Sequence, residues 1–189
     1  MPRAKSVGPS PTGAGGAARP QVGAFRHRRE ATAWTTAPPR AVFDRLDDQT
    51  RLAEHMGRPS VMMGGGRMTY EFDAGRGQAV GSHIRMGGAA FGLSLFVDEV
   101  VTVRDPPHRK VWRTTGEPRL LVIGGYEMGF AITEEGAGSR LSVWIDYAPP
   151  SRGWARWLPA LAGLYARWCV RRMVIDAVQH FASTERQSA

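Results

Sequence analysis

From residue 67 to residue 147 apolar and polar positions alternate with a period of two, the mark of strands buried on one face. Arg67–Asp73 sets Met68, Tyr70 and Phe72 against Arg67, Thr69, Glu71 and Asp73. A glycine-rich turn at Gly75–Gly77 leads to Val80–Met86, with Ile84 and Met86 on one side. Leu93–Val103, Lys110–Thr115, Leu120–Thr133 and Arg140–Tyr147 continue the series. Asp105-Pro106-Pro107 and Glu134-Glu135-Gly136-Ala137-Gly138 supply turns between them. Such a run predicts an antiparallel meander.

Both ends of the chain read differently. Glu30–Thr35 alternates as a first strand and then breaks in the stretch W-T-T-A-P-P-R-A-V-F-D-R-L-D-D, Trp34–Asp48. Thr36 suits a helix N-cap, and Pro38-Pro39 suit the first turn, where backbone N–H groups lack intrahelical partners. Val42, Phe43 and Leu46 give this helix one apolar stripe, and Asp47-Asp48 end it. A second short helix is expected at about Gln49–Met56, with Leu52 and Met56 inward. After Pro149-Pro150, Gly153–Ser183 reads as one long helix. A sheet with one apolar face curls around a single helix. The two short helices carry the chain across and plug one end, which makes a cup suited to apolar ligands.

Composition agrees with one soluble domain: 189 residues, 42% hydrophobic. About 160 ordered residues bury roughly 70% of their unfolded-chain surface, enough for a core without staples. The single cysteine, Cys169, excludes an intramolecular disulfide and fits a reducing compartment. The absence of Asn excludes N-glycosylation. The apolar runs Trp157–Ala166 and Met86–Val97 fall short of the ~18 residues of a membrane span. No apolar signal core precedes the domain, so a cytoplasmic location is expected. The net charge of +8 is uneven: Arg3, Lys5, Arg19, Arg26, Arg28 and Arg29 precede the first acid, Glu30. Residues 1–23 therefore read as a disordered basic tail, residues 24–184 as the domain, and residues 185–189 as a disordered C-terminus. The tail is either an arm for phosphate or lipid headgroups, or a solubilising segment. No specific nucleic-acid partner is expected.

No familiar catalytic set stands out. The glycines of M-M-G-G-G-R-M and G-R-G-Q-A-V-G match neither dinucleotide nor Walker spacing and lead into strands. His27, His55, His83, His108 and His180 have no metal-ligand spacing, and no cofactor motif or G-x-S-x-G elbow is present, so neither metal nor cofactor is expected. Cys169 reads as a buried small hydrophobe. If Ile84 and Met86 face the cup, His83 and Arg85 face solvent; a bulge after Gly81 would reverse this and make His83 a general base. Glu99 shares a face with Leu95, Val97 and Val101, which makes it either a buried acid with a raised pKa or a rim residue.

The positions in phase with the apolar face are Tyr70, Phe72, Ile84, Met86, Leu95, Val97, Trp112, Tyr126, Met128, Phe130, Val143, Ile145 and Tyr147. Leu161, Leu164, Tyr165, Trp168 and Met173 of the long helix are expected opposite them. The tyrosines add polar tips able to orient a carbonyl or hydroxyl. The first half of that helix is rich in Trp154, Trp157 and Trp168 among arginines, which suits burial and a dimer contact, or a membrane or partner surface.

The A-P-P-R-A-V-F-D-R-L-D-D crossover, together with G-Q-A-V-G-S-H-I-R-M, V-D-E-V-V-T-V-R-D-P-P-H-R-K-V-W-R-T-T-G and L-Y-A-R-W-C-V-R-R-M-V-I-D-A-V-Q-H-F, resembles the helix-grip domains of the SRPBCC superfamily. That superfamily includes START lipid-transfer domains, birch-pollen-allergen-like proteins and polyketide cyclases/dehydratases. The resemblance covers about Phe25–Ser183. It implies an α+β fold in which a curved antiparallel sheet of about six to seven strands wraps the C-terminal helix, with two short helices after the first strand. It also implies a small apolar ligand, such as a lipid, polyketide or quinone-like molecule, bound between sheet and helix. Two other readings stand beside this carrier. One is a cyclase/dehydratase-like enzyme moving a proton with His83, Glu99 or Tyr126. The other is a surface module that contacts a membrane or a partner. The oligomeric expectation is monomer or homodimer.

Overall fold

The computed structural model describes residues 25–50, 68–90, 92–150 and 159–188. The expected N-terminal tail, most of the second short helix, and Trp154 and Trp157 lie outside these residues. Strands β1 (His27–Thr35), β2 (Met68–Phe72), β3 (His83–Ala90), β4 (Leu93–Asp105), β5 (Arg109–Arg119), β6 (Tyr126–Glu135) and β7 (Gly138–Tyr147) form one antiparallel sheet in the order β1-β7-β6-β5-β4-β3-β2. Helix α1 (Pro39–Asp47) follows β1, and helix α2 (Pro159–Ser188) ends the chain. The meander is therefore continuous from β2 to β7, and β1 joins its far edge through the crossover.

The crossover starts later than expected. Pro38, in extended conformation, occupies the N-cap position, with Pro39 beginning the helix and no side chain capping it. Thr36 is not the cap; Thr35 Oγ1 instead accepts a hydrogen bond from the Ala37 N–H. Val42, Phe43 and Leu46 are buried as their spacing requires, and Phe43 meets Phe130 edge-on at 5.5 Å between ring centroids. Asp48 then accepts hydrogen bonds from the Thr50 N–H and hydroxyl, capping a helical turn that begins at Gln49.

Two irregularities between β4 and β5 bend the sheet. One, between Val101 and Val103, shifts the strand's phase. Beyond it Val103 is exposed and Arg104 turns toward α1, where its guanidinium meets Asp47 at 2.8 Å and covers the Phe43 ring. The expected strand Leu120–Thr133 begins only at Tyr126. Gly124 and Gly125 instead press the chain against the end of β7, with the Gly124 N–H bonded to the Ala148 carbonyl. A Cβ on Gly124 would stand 2.6 Å from the Pro149 carbonyl oxygen, so the approach requires glycine. This detour folds Leu120, Leu121 and Ile123 against the sheet.

Helix α2 lies over β1 and β7 and touches α1. Its seam is made of small residues: Ala162, Gly163, Ala166, Val170 and Ala177, with Met173 and Val174. Small side chains bring the helix close to the strands, and the Gly163 Cα lies beside Arg29 and the Tyr147 hydroxyl. Leu164 and Trp168 therefore do not line the interior. One turn apart and opposite the seam, they are 66% and 42% exposed.

Candidate functional site

The inner face of β4, β5 and β6 carries one polar row. The register sets Ile84 opposite Glu99 and Glu99 opposite Thr114. Thr114 Oγ1 accepts a hydrogen bond from the Tyr126 N–H at 3.1 Å, which fixes Tyr126 in line with Glu99 two strands away. The Tyr126 hydroxyl donates to Glu99 Oε1. The Trp112 side chain, from the next row, also favours the charged form of the same carboxyl.

Glu99 is 4% exposed. Burial pushes its carboxyl up from 4.5 to about 7, against the lowering effect of the Tyr126 hydroxyl and the Trp112 side chain. Tyr126 and Tyr165 are both held well above the ordinary tyrosine value, chiefly by burial. Tyr126 is raised further by the Glu99 charge, and Tyr165 by the Cys169 beside it. Tyr70 is raised by the same two causes as Tyr126. The Cys169 thiol is pushed up to about 11, mainly by burial. Near neutral pH the group therefore holds hydroxyls, a neutral thiol and one carboxyl that exchanges its proton readily.

Exposure divides the expected lining into two sets. Phe130, Val143, Ile145, Tyr147 and Met173 are buried in the core beneath α1 and α2. Ile84 is buried there as well, and Met86, Leu95 and Val97 form a smaller cluster with Tyr70, Leu120, Leu121 and Tyr126. Tyr70, Phe72, Tyr126, Met128, Leu161 and Tyr165 are only half-buried. Tyr70 and Phe72 stack with centroids 6.2 Å apart. This second set surrounds the Glu99 row.

His83 is not part of this group. Ile84 and Met86 are buried and Arg85 is exposed, so no bulge reverses β3. His83 Nδ1 lies 3.0 Å from Asp98 Oδ1 on the outer face, with Arg85 3.8 Å from the same carboxylate. Ahead of it, Asp73 accepts from the Ser82 hydroxyl and the His83 N–H, and these bonds hold its carboxyl below the ordinary range. The described residues contain no group of three His, Cys, Asp or Glu side chains able to hold a metal ion. A depression of about 400 Å³ on the outer face is polar, and its charges answer one another: Arg28 bonds to Asp146, and Arg28 and Arg109 cover the Trp144 ring.

One buried ionic group escaped the sequence reading. Lys110 is fully buried on the inner face, and its Nζ donates to the Asp47 carboxylate at 2.8 Å and to the Asp47 carbonyl at 3.0 Å. Burial pushes the ammonium down despite Asp47. Burial also pushes the Asp47 carboxyl up, yet the bonds from Arg104 and Lys110 outweigh this and hold it low. The signal was available: Lys110 is in phase with the inward Trp112. This cluster fastens the end of α1 to the sheet and commits both cations to Asp47.

Comparison with known proteins places this architecture. Residues 26–183 match the family described as polyketide cyclase / dehydrase and lipid transport, and the chain belongs to that family. No curated protein matches it. Among solved structures, Ara h 8.0201 superposes with a TM-score of 0.60 at 12% identity, over 83% of this chain and 98% of that one. The di-domain ARO/CYC BexL from the BE-7585A biosynthetic pathway superposes with a TM-score of 0.57 at 20% identity, over 82% of this chain and 50% of that one. Protein CV1439 from Chromobacterium violaceum gives 0.54 at 17% identity, over 82% and 98%. These likenesses are of fold. The helix-grip architecture is thereby established; of the expected second short helix, only Gln49 and Thr50 fall among the described residues.

Proposed function

We propose that the chain binds a small, mostly apolar, oxygen-bearing molecule between the inner face of the sheet and α2. The observation that carries this reading is the buried Glu99 carboxyl bonded by the Tyr126 hydroxyl, set among half-buried aromatic and thioether side chains. Apolar walls with a few convergent polar groups are the usual form of a small-molecule site. The cations nearby, Lys110 and Arg104, are held by Asp47, so a neutral carbonyl or hydroxyl suits the site better than a carboxylate. Lipids, polyketides and quinone-like compounds share that chemistry. The test is native mass spectrometry of the freshly purified chain. Added mass that disappears on denaturation, and is reduced in Tyr126→Phe and Met128→Trp, supports the site. A ligand retained equally by both variants places binding elsewhere.

A second reading follows from Glu99 itself. A carboxyl with a pKa of about 7 is suited to give a proton to a bound carbonyl oxygen or to take one from the adjacent carbon. Cyclisation and dehydration of a polyketide chain both need such steps, and a pocket that folds the chain supplies the proximity. Turnover of a poly-β-ketone thioester that is lost in Glu99→Gln, while binding persists, separates enzyme from carrier.

A further inference from the structure

The face of α2 opposite its seam carries Leu164, Trp168 and Ile175, which are 66%, 42% and 46% exposed. Their spacing puts them on one side of the helix along three turns. Exposed Arg167 and Arg171 border this stripe on one flank and Arg172 on the other. Arg172 is paired with Asp176 at 2.9 Å, whereas Arg167 and Arg171 have no ion pair among the described residues. The helix is therefore apolar twice: a seam of small residues meets the sheet, and a stripe of large ones faces outward.

We propose that this outward face docks on an anionic lipid surface, with Leu164, Trp168 and Ile175 entering the interface and the arginines meeting headgroup phosphates. Large apolar side chains bordered by cations are what an interfacial helix presents to a bilayer, since arginine stems lie along apolar surface while their heads reach the phosphates. No helix among the described residues is long and apolar enough to cross a membrane, so the contact is peripheral. A second copy is the poorer occupant. A two-fold dimer sets the same patch against itself. That would bring the Arg167 and Arg171 pairs of two copies together, and the one acid from Leu164 to Asp176, Asp176 itself, is already engaged by Arg172.

The test uses the full chain with vesicles of phosphatidylcholine alone and of phosphatidylcholine with one-third phosphatidylglycerol, read by cosedimentation. Wild type is compared with the triple variant Leu164→Ser, Trp168→Ser, Ile175→Ser, which should keep its far-UV circular dichroism, and with Leu164→Ser, Ile175→Ser, which leaves the stacking of Trp168 on Tyr165 in place. The expected result is binding to the anionic vesicles that weakens in both variants, about ten-fold or more in the triple one, with little binding to the neutral ones. The six cations ahead of Glu30 attract anionic vesicles by charge alone. If they carry the binding, both variants sediment like wild type and the proposal fails. It fails too if wild type binds neither vesicle. Sedimentation equilibrium showing a dimer that the triple variant abolishes would assign the face to a second copy and overturn it.

Discussion

Tyr126 and Glu99 are joined by a hydrogen bond that spans β5, with Thr114 of the intervening strand holding Tyr126 in line. This bond is made on the inner face and ties β4 to β6. Removing the hydroxyl therefore changes the acid directly. In Tyr126→Phe the carboxyl loses a donor that favours its charged form, and its pKa rises above about 7. Carbon-13 NMR titration of the Glu99 side chain should show the midpoint move upward; an unmoved midpoint would contradict the bond.

The same carboxyl makes stability depend on pH. Its folded pKa of about 7 exceeds 4.5, so the folded chain binds the proton more tightly than the unfolded chain. The stabilising contribution of the protonated form is fully present below about pH 4.5 and is lost as pH rises through about 7, roughly 3 kcal/mol in all. Urea unfolding at pH 5 and pH 8 should show this loss in wild type and a much flatter profile in Glu99→Gln. Equal slopes in the two proteins would remove Glu99 from the account.

Asp47 is expected to be among the costliest positions to change. Asp47→Ala leaves the Lys110 ammonium buried without its carboxylate and should cost about 3–5 kcal/mol in denaturant unfolding. Adding Lys110→Met removes the stranded charge and should recover much of the loss. A double variant no better than the single one would show that Asp47 acts through Arg104 instead.

Gly138 tests the junction of the crossover with the sheet. A Cβ there would stand 2.1 Å from the Thr35 carbonyl oxygen and 2.9 Å from the Trp34 ring. Gly138→Ala should lower stability by about 1–3 kcal/mol, as overpacking does. Hydrogen exchange should quicken first along β1. Ala137→Gly, next door and exposed, serves as the control.

The meander and the closing helix were legible because period-two and helical patterns are strong over long segments. Glu99 was legible for the same reason, since its phase with Val97 and Val101 left burial as one of two outcomes. The start of α1 was not, because Thr36 offers a good cap in isolation while Pro38 already has the extended conformation the position needs. The side of α2 that meets the sheet was misread at Leu164 and Trp168. Hydrophobic size marks burial in general, but close approach of a helix to strands selects alanine and glycine, which carry little hydrophobic signal. Lys110 was hidden by its own charge, which is compatible with burial only once Asp47 arrives from a helix remote in sequence.

The alanine and glycine seam of α2 has a consequence for how this protein can change. It fastens the helix to β1 and β7, at one margin of the sheet, while the carboxyl row lies on β4 to β6 and its half-buried neighbours Tyr70 and Phe72 on β2. The seam and the proposed site therefore use different strands. Under the proposed function, Met128 or Phe72 can be enlarged or trimmed to suit a different guest without touching the seam. On that reading a single scaffold shifts its chemical preference by substitutions that leave its folding intact.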